Sequence, residues 1–502
     1  MKRILMILLL LAGLLPLWCG LSNAEPKGTL IVADATGVPD TWDPYKIYGT
    51  EMKSIFRQIY DLLIDRDPNG KLIPGIAKSW ELFDDTIWQI KLQEGIKFHN
   101  GDEVTAEDVE FSIKRILDPK VKSPRRRDFD FIDRVEVINK YTVNIITKEP
   151  YALLPDRLFQ FSIILPARVF QQESAEEFFN NPIGVGPFKF AKWDKEGIIL
   201  EANENYWKGS PKVKRVIFKF ISGKKERIER LLNKDLDIVS NIMPQYTLKL
   251  RKDKRIKLIK KPVIQFFNAI LDTFGKKAFA DRRVRQALNY ATDVDKLIRY
   301  VQKGNGRRLA TFSMPEEFGY NPNLKPYPFD IEKARTLLAQ AGYPNGFKVK
   351  VLTTDDCKEL AKALASQWRK LGIETELDVR SRTEAISIWI NKKIPFDIFT
   401  VDPTDLLLDA SYQMVVHLDP QHPISRFHDD RVIKLLYKSN ETMDKEKRSA
   451  LLQKIQEIVY EEAPVVFLYQ NIGLYGVGAD VIGFVPYADT ILRLYNVSVN
   501  RR

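Results

Sequence analysis

Apolar and polar residues alternate with a period of two along several short stretches of this chain, and recur at helical spacing along others. Trp88, Ile90 and Leu92 alternate with Gln89, Lys91 and Gln93, which predicts a half-buried strand, and Glu94-Gly95 turns into a second strand carrying Ile96 and Phe98. His99-Asn100-Gly101-Asp102 reads as a polar turn. Thr105 is placed to cap the next helix, with Asp108 in capping-box position and Ala106, Val109, Ile113 and Ile116 as the apolar stripe. Val135 and Val137 facing Tyr141, Val143 and Ile145 across Asn139-Lys140 predict a hairpin, and residues 30–32, 216–220 and 347–351 predict further strands. In the second half Asp281, Asp293 and Asp330 precede helical stripes, the last running through Ile331, Ala334, Leu337, Leu338 and Ala341 to a stop at Gly342. Strands and helices alternate throughout with no low-complexity linker and no solenoid repeat, so the fold class is mixed α/β.

The N-terminus changes this picture by adding a segment outside the fold. Lys2 and Arg3 precede an apolar run from Ile4 to Leu17, and Ser22-Asn23-Ala24 supplies small residues for cleavage, so residues 1–24 read as a signal peptide. Trp18 before Cys19 disfavours a lipoprotein signal, which makes a lipid-anchored surface location the lesser alternative to a periplasmic one. Loss of Cys19 leaves Cys357 alone, so the mature chain of about 480 residues relies on its core and has no intramolecular disulfide. Hydrophobic residues at 44% are enough to build that core in two or three domains. The formal charge of +12 falls by two when Lys2 and Arg3 leave. The basic runs at 120–127 and 249–261 lack the interleaved aromatics of a nucleic-acid platform, so the charge reads as a solvated or membrane-facing surface, with no nucleic-acid partner.

Motifs of catalysis are sparse. Neither a Gly-x-Ser-x-Gly elbow nor His-Glu-x-x-His occurs, and Ser222-Gly223-Lys224-Lys225 satisfies Ser-x-x-Lys without the companion signatures, so it reads as a chance match. His417, His422 and His428 cluster in sequence, but Pro420 and Pro423 interrupt any shared helix face, so they read as loop histidines and no metal or cofactor is assigned. Gly184-Val185-Gly186 is too short for a dinucleotide fingerprint and reads as a tight turn before a strand at Phe188.

The stretch from Asn69 to Pro119 carries Pro74, Ala77, Ser79-Trp80, Asp85, Trp88, Leu92, Gly95, Lys97-Phe98-His99, Gly101, Thr105-Ala106-Glu107-Asp108-Val109, Ser112 and Arg115. At this spacing the chain resembles bacterial extracellular solute-binding protein family 5, the peptide, oligopeptide and nickel receptors of ABC importers. Further similar blocks follow at 182–188, 205–207, 281–293, 334–346 and 371–373, and at Glu462-Ala463-Pro464 with Leu468-Tyr469. The resemblance implies a two-lobed periplasmic solute-binding fold of type II, with residues 25–265 and the tail 469–502 in lobe one. An extra subdomain occupies about 60–182, lobe two holds 266–468, and the crossings lie near 263–268 and 465–470. It implies a monomeric, non-catalytic substrate-binding component that captures short peptides by hinge closure and delivers them to permease subunits in the inner membrane. Nickel complexes, oligosaccharides or haem are alternative solutes, and an exported hydrolase is the rival class.

Relatives hold the peptide amine on an aspartate of lobe two, and the matching segment here is Phe396 to Asp405, where the usual tryptophan is replaced around Val401. Phe399 and Thr400 belong to that candidate site, with Asp402 or Asp405 as the anchor, or else as a cap or turn aspartate. Trp42-Asp43-Pro44, with Tyr48 nearby, resembles a cleft-lining loop, its aromatics either stacking on solute or buried in the core. Asn268 and Tyr469 at the crossings either hydrogen-bond the solute or satisfy hinge backbone groups.

Overall fold

The stretches 256–271 and 465–478 become the two longest strands among the described residues. A computed structural model describes residues 28–34, 41–47, 52–391 and 395–501; the predicted signal peptide and Tyr48 lie outside the described residues. The strands Ile256–Leu271 and Val465–Gly478 pair antiparallel at the centre of an 11-stranded sheet. On one side they are followed by Ile398–Val401, Lys348–Thr354 and Glu374–Arg380, the last three mutually parallel. On the other side come Ile238–Val239, Thr29–Ala33, Arg215–Lys219, Gly197–Ala202 and Phe188–Asp194. Each flank buries its own hydrophobic clusters, so the sheet serves two lobes that share only its central pair.

The central pair is not regular. Ile256 to Pro262 pair with Gly478 to Ile472, the register then shifts, and pairing resumes from Phe266 opposite Gln470. Pro262 has no N–H for a ladder bond. Between the two ladders the backbone groups find partners elsewhere: Gln470 Nε2 donates to Val263 O at 3.0 Å, Ile264 N donates to Ala488 O at 3.0 Å, and Phe266 N donates to Pro403 O at 3.1 Å. The segments expected to cross between lobes, 263–268 and 465–470, lie at and beside this break.

A separate four-stranded antiparallel sheet, ordered Ala77–Asp84, Ile87–Leu92, Thr142–Thr147, Ile132–Asn139, is covered by the helix Ala106–Leu117. The hairpin across Asn139-Lys140 forms with Val137 opposite Val143 and Val135 opposite Ile145, as the alternation predicts. The partner expected for the Trp88 strand is corrected. Residues 96–98 form only an isolated bridge, Lys97 to Glu103, and the strand Ile87–Leu92 pairs instead with Ala77–Asp84. Burying Ile96 and Phe98 in the lobe-one core satisfies their hydrophobicity without a ladder, so the short alternation there does not need a strand.

The predicted helix starts are found where expected. Asp281 Oδ1 accepts from Arg283 N at 2.8 Å, Asp293 Oδ1 from Lys296 N at 3.0 Å and Asp330 Oδ1 from Lys333 N at 2.9 Å, opening Arg282–Tyr290, Val294–Tyr300 and Ile331–Gln340. Thr105 N donates to Asp108 Oδ2 at 2.8 Å, which is the backward half of a capping box. The C-terminal tail returns to lobe one, where Val481, Phe484, Leu492, Leu494 and Val497 join the core around Leu30 and Val216.

Candidate ligand-binding cleft

Side chains from both lobes and from the crossing strands converge on a cleft of about 390 Å³, within the ~300–1,000 Å³ range of small-molecule sites. Lobe one contributes Asp34, Ser222, Lys224, Arg227 and the loop from Ser240 to Pro244. Lobe two contributes Gln302, Asp356, Arg382, Asp402 and Thr404, and the crossing strands add Gln265, Phe267 and residues 471–475. The wall is mixed polar and apolar, and Phe267 and Tyr475 are its aromatic members among the described residues.

Asp402 sits just past the end of the buried strand Ile398–Val401, so its carboxylate emerges at the cleft while the preceding residues stay in the core. Its Oδ1 pairs with Arg382 Nη1, its Oδ2 accepts from Gln265 Nε2 at 2.8 Å, and its carbonyl accepts from Arg382 Nη2 at 3.1 Å. The carboxylate in turn holds the Arg382 guanidinium above its ordinary value. Gln265 Oε1 accepts from Asn471 Nδ2 at 2.7 Å, so a polar chain runs Asn471, Gln265, Asp402, Arg382 from the hinge into lobe two. At the rim, Lys224 of lobe one pairs with Asp356 of lobe two, directly across the opening.

The remaining expectations for the site are placed as follows. Asp405 is fully buried outside the cleft: its Oδ1 accepts from Leu407 N and Leu408 N, both at 2.8 Å, so it organises the turn at 405–408 and is not an accessible anchor. Phe399 packs on Trp389 with centroids 5.4 Å apart, and Thr400 Oγ1 donates to Thr353 Oγ1 at 2.6 Å. Both are core residues, because their strand lies between Ile256–Leu271 and Lys348–Thr354 and is covered on both faces. Trp42 is buried against Trp193, centroids 5.3 Å apart, and does not line the cleft. Asn268 is buried in lobe two, its Nδ2 donating to His417 Nε2 at 3.2 Å. His417 lies in the helix Ala410–Leu418 and not in a loop, bonds Gln413 O through Nδ1 at 2.9 Å, and is kept neutral by burial, which lowers its pKa to about 4. Tyr469 stands behind the wall: its hydroxyl accepts from Gln302 Nε2 at 3.0 Å and its ring lies 4.9 Å from Phe267, both of which face the cleft.

Sequence reasoning missed Gln265, Asn471, Arg382 and the Lys224–Arg227 turn. The segment Ser222-Gly223-Lys224-Lys225, set aside as a chance match, is the entry to the cleft-facing helix Lys224–Leu232. Gln265 and Asn471 are polar members of crossing strands that also hold Asn268 and Gln470, so nothing in the sequence singled them out.

A family model described as bacterial extracellular solute-binding proteins, family 5 Middle, matches residues 71–422. Heme-binding protein A of Haemophilus influenzae is 28% identical over 498 residues, covering 90% of this chain and 89% of that protein. The glutathione-binding protein GsiB of Pectobacterium atrosepticum is 25% identical and covers 89% of this chain and 90% of its own length. Among solved structures, the ABC transporter-associated periplasmic binding protein DppA of Helicobacter pylori, in complex with the peptide STSA, superposes with a TM-score of 0.81 at 26% identity. That match covers 95% of this chain and 98% of the other. Two lobes joined by paired strands, a polar cleft between them and a family match over most of the chain lead to one conclusion: this chain belongs to the bacterial extracellular solute-binding proteins of family 5, the non-catalytic, extracytoplasmic solute-binding components of ABC importers.

Proposed function

We propose that the solute is a short peptide, captured as the lobes close and released to permease subunits of the inner membrane. The observation that carries this reading is the chain of side-chain amides and carboxylate from Asn471 through Gln265 to Asp402, lining a cleft that both lobes share. Amides and carboxylates offer donors and acceptors to a peptide backbone without demanding particular side chains. Asp402 is the anchor for the amino end: a carboxylate has about four lone-pair directions, and Arg382 and Gln265 leave room for an ammonium donor. Closure around a solute that touches both lobes removes water and strengthens each of these bonds. On this reading the signal peptide ends at residue 24, the mature monomer works in the periplasm, and the lobes divide at 25–265, 266–468 and 469–502, with the extra subdomain at about 60–182.

Titration calorimetry of the mature chain with tri- and tetrapeptides tests the proposal. Micromolar or tighter binding is expected, weakened on the order of tenfold by Asp402→Asn, the loss of one charge-assisted bond. Binding of haem or of a nickel complex with no peptide binding would replace this reading by that of another solute in the same fold.

A further inference from the structure

Arg227 lines the lobe-one wall of the cleft with only 2% of its surface exposed, and its buried Nη1 has no hydrogen-bond partner among the described residues. The other two cleft cations are matched: Lys224 pairs with Asp356 and Arg382 pairs with Asp402. Asp34 acts on Arg227 electrostatically, but the Asp34 carboxylate accepts from the Ser240 hydroxyl. Burial lowers the pKa of Arg227 below the arginine value, so the fold holds this guanidinium in a setting that disfavours its charge. A buried polar group left without a partner calls for an explanation, and at a cleft wall a ligand supplies one.

The same turn supplies a second feature. Arg227 belongs to the nine-residue helix Lys224–Leu232, whose N-cap is Gly223, a residue with no side chain to bond the first amides. Ser222 and Lys224 at that end line the cleft beside Arg227. The acid of the first turn, Glu226, is held by Arg230 Nη2 at 2.6 Å. Glu226 Oε2 stands 3.2 Å from where a Gly223 Cβ would lie, so the helix end already has an acid beside it, and the unmet demand is that of the guanidinium, whose parallel donors suit a carboxylate.

We infer that Arg227, on the first turn of Lys224–Leu232, forms an anion-receiving subsite that takes a carboxylate of the captured solute. This deepens the peptide reading and rests on it. With Asp402 on the lobe-two wall, the cleft is polarised, acidic at one wall and basic at the other, and a zwitterionic peptide bridges the two. The solute completes the pairing of Arg227 only when lobe one and lobe two hold the same molecule, which ties recognition of its acid end to closure.

Trialanine and tetra-alanine, each with a free and an amidated C-terminus, test the inference on the wild-type mature chain, Arg227→Met and Arg227→Lys, read by calorimetry and by melting temperature. The wild type is expected to bind the free acids at least tenfold more tightly than the amides. Arg227→Met is expected to bind both at the amide level, and Arg227→Lys to recover part of the preference. Without ligand, Arg227→Met is expected to melt at or above the wild type, because it removes an unsatisfied buried group. A tenfold preference retained in Arg227→Met, or a ligand-free Arg227→Met melting well below the wild type, overturns the inference and leaves the peptide reading intact. If haem binds and no peptide does, the peptide reading fails, and the subsite is judged on the haem carboxylates: a tenfold loss in Arg227→Met supports it and unchanged affinity overturns it. If neither probe binds, the ligand-free melting temperatures decide alone.

Discussion

Desolvation pushes the carboxyl of Asp405 up to about 7, because the side chain is fully buried, and the opposing pulls of the Leu407 and Leu408 amides and of Arg66 offset only part of that cost. Glu317, buried beside it, is also raised, by the same burial and then by Asp405 itself, so the two carboxyls keep a proton that an unfolded chain would release. The native state therefore binds more protons than the unfolded one, and stability from this pair falls as pH rises from about 4 to about 7. Asp405→Asn keeps an oxygen for Leu407 N and Leu408 N and offers an amide donor to Glu317. It is expected to be more stable than the wild type at pH 8 by about 1–3 kcal/mol and nearly equal at pH 4, measured by urea unfolding. An unchanged difference between the two pH values would refute the shared-proton account. Asp402 and Asp405 were indistinguishable in the sequence, since both are aspartates in one turn-rich stretch. What separates them is that one follows the last buried strand residue and the other has its oxygen occupied by two backbone amides.

At the scale of elements, the two signature stretches of the sequence are physically joined. His99 N donates to Gly184 O at 2.8 Å, Gly184 N donates to His99 Nδ1 at 3.3 Å, and the ring Nε2 lies 3.0 Å from Gly186 O. Burial lowers His99 to about 4, so the ring is neutral near pH 7 and its Nε2–H is the donor to Gly186 O. The glycines are needed for contact with the end of the helix Lys53–Ile59: a Cβ on Gly184 would stand 2.1 Å from Ile59 O, and one on Gly186 2.4 Å from Gln58 O. Gly184→Ala is expected to cost more than about 2 kcal/mol, or to prevent folding, in a thermal or urea melt. A cost below about 0.5 kcal/mol would mean the backbones separate freely there. The helices and the hairpin across Asn139-Lys140 were legible because their signals are local caps and alternation. The strand partner of Ile87–Leu92 was not, since a ladder is chosen by tertiary packing, and neither was the cleft, whose members are 200 residues apart and polar without a motif.

For the whole molecule, Lys224 stands against Asp356 across the cleft mouth, with both side chains about half exposed. A pair so exposed contributes at most about 1 kcal/mol, screened by salt. Asp356→Asn is therefore expected to weaken solute binding no more than about fivefold, chiefly through faster release, and to raise the ligand-free radius of gyration slightly in solution scattering. A loss of a hundredfold would place Asp356 on the solute itself.

The return of the tail to lobe one has a consequence for how the chain is made. The lobe built first in sequence is finished last, because its sheet needs residues 472–478 and its core needs Phe484, Leu492, Leu494 and Val497. A chain ending at Pro464 is expected to show no cooperative melt for either lobe, since it lacks the strand that both share. Contacts between residues more than 400 positions apart, such as Gln58 Nε2 to Leu492 O at 2.7 Å, close only when synthesis is complete, and nucleation that depends on them is slow. Until residues 472–497 are made, lobe one lacks a strand and part of its core, so its full fold is held back while the chain can still be threaded through a narrow translocation pore.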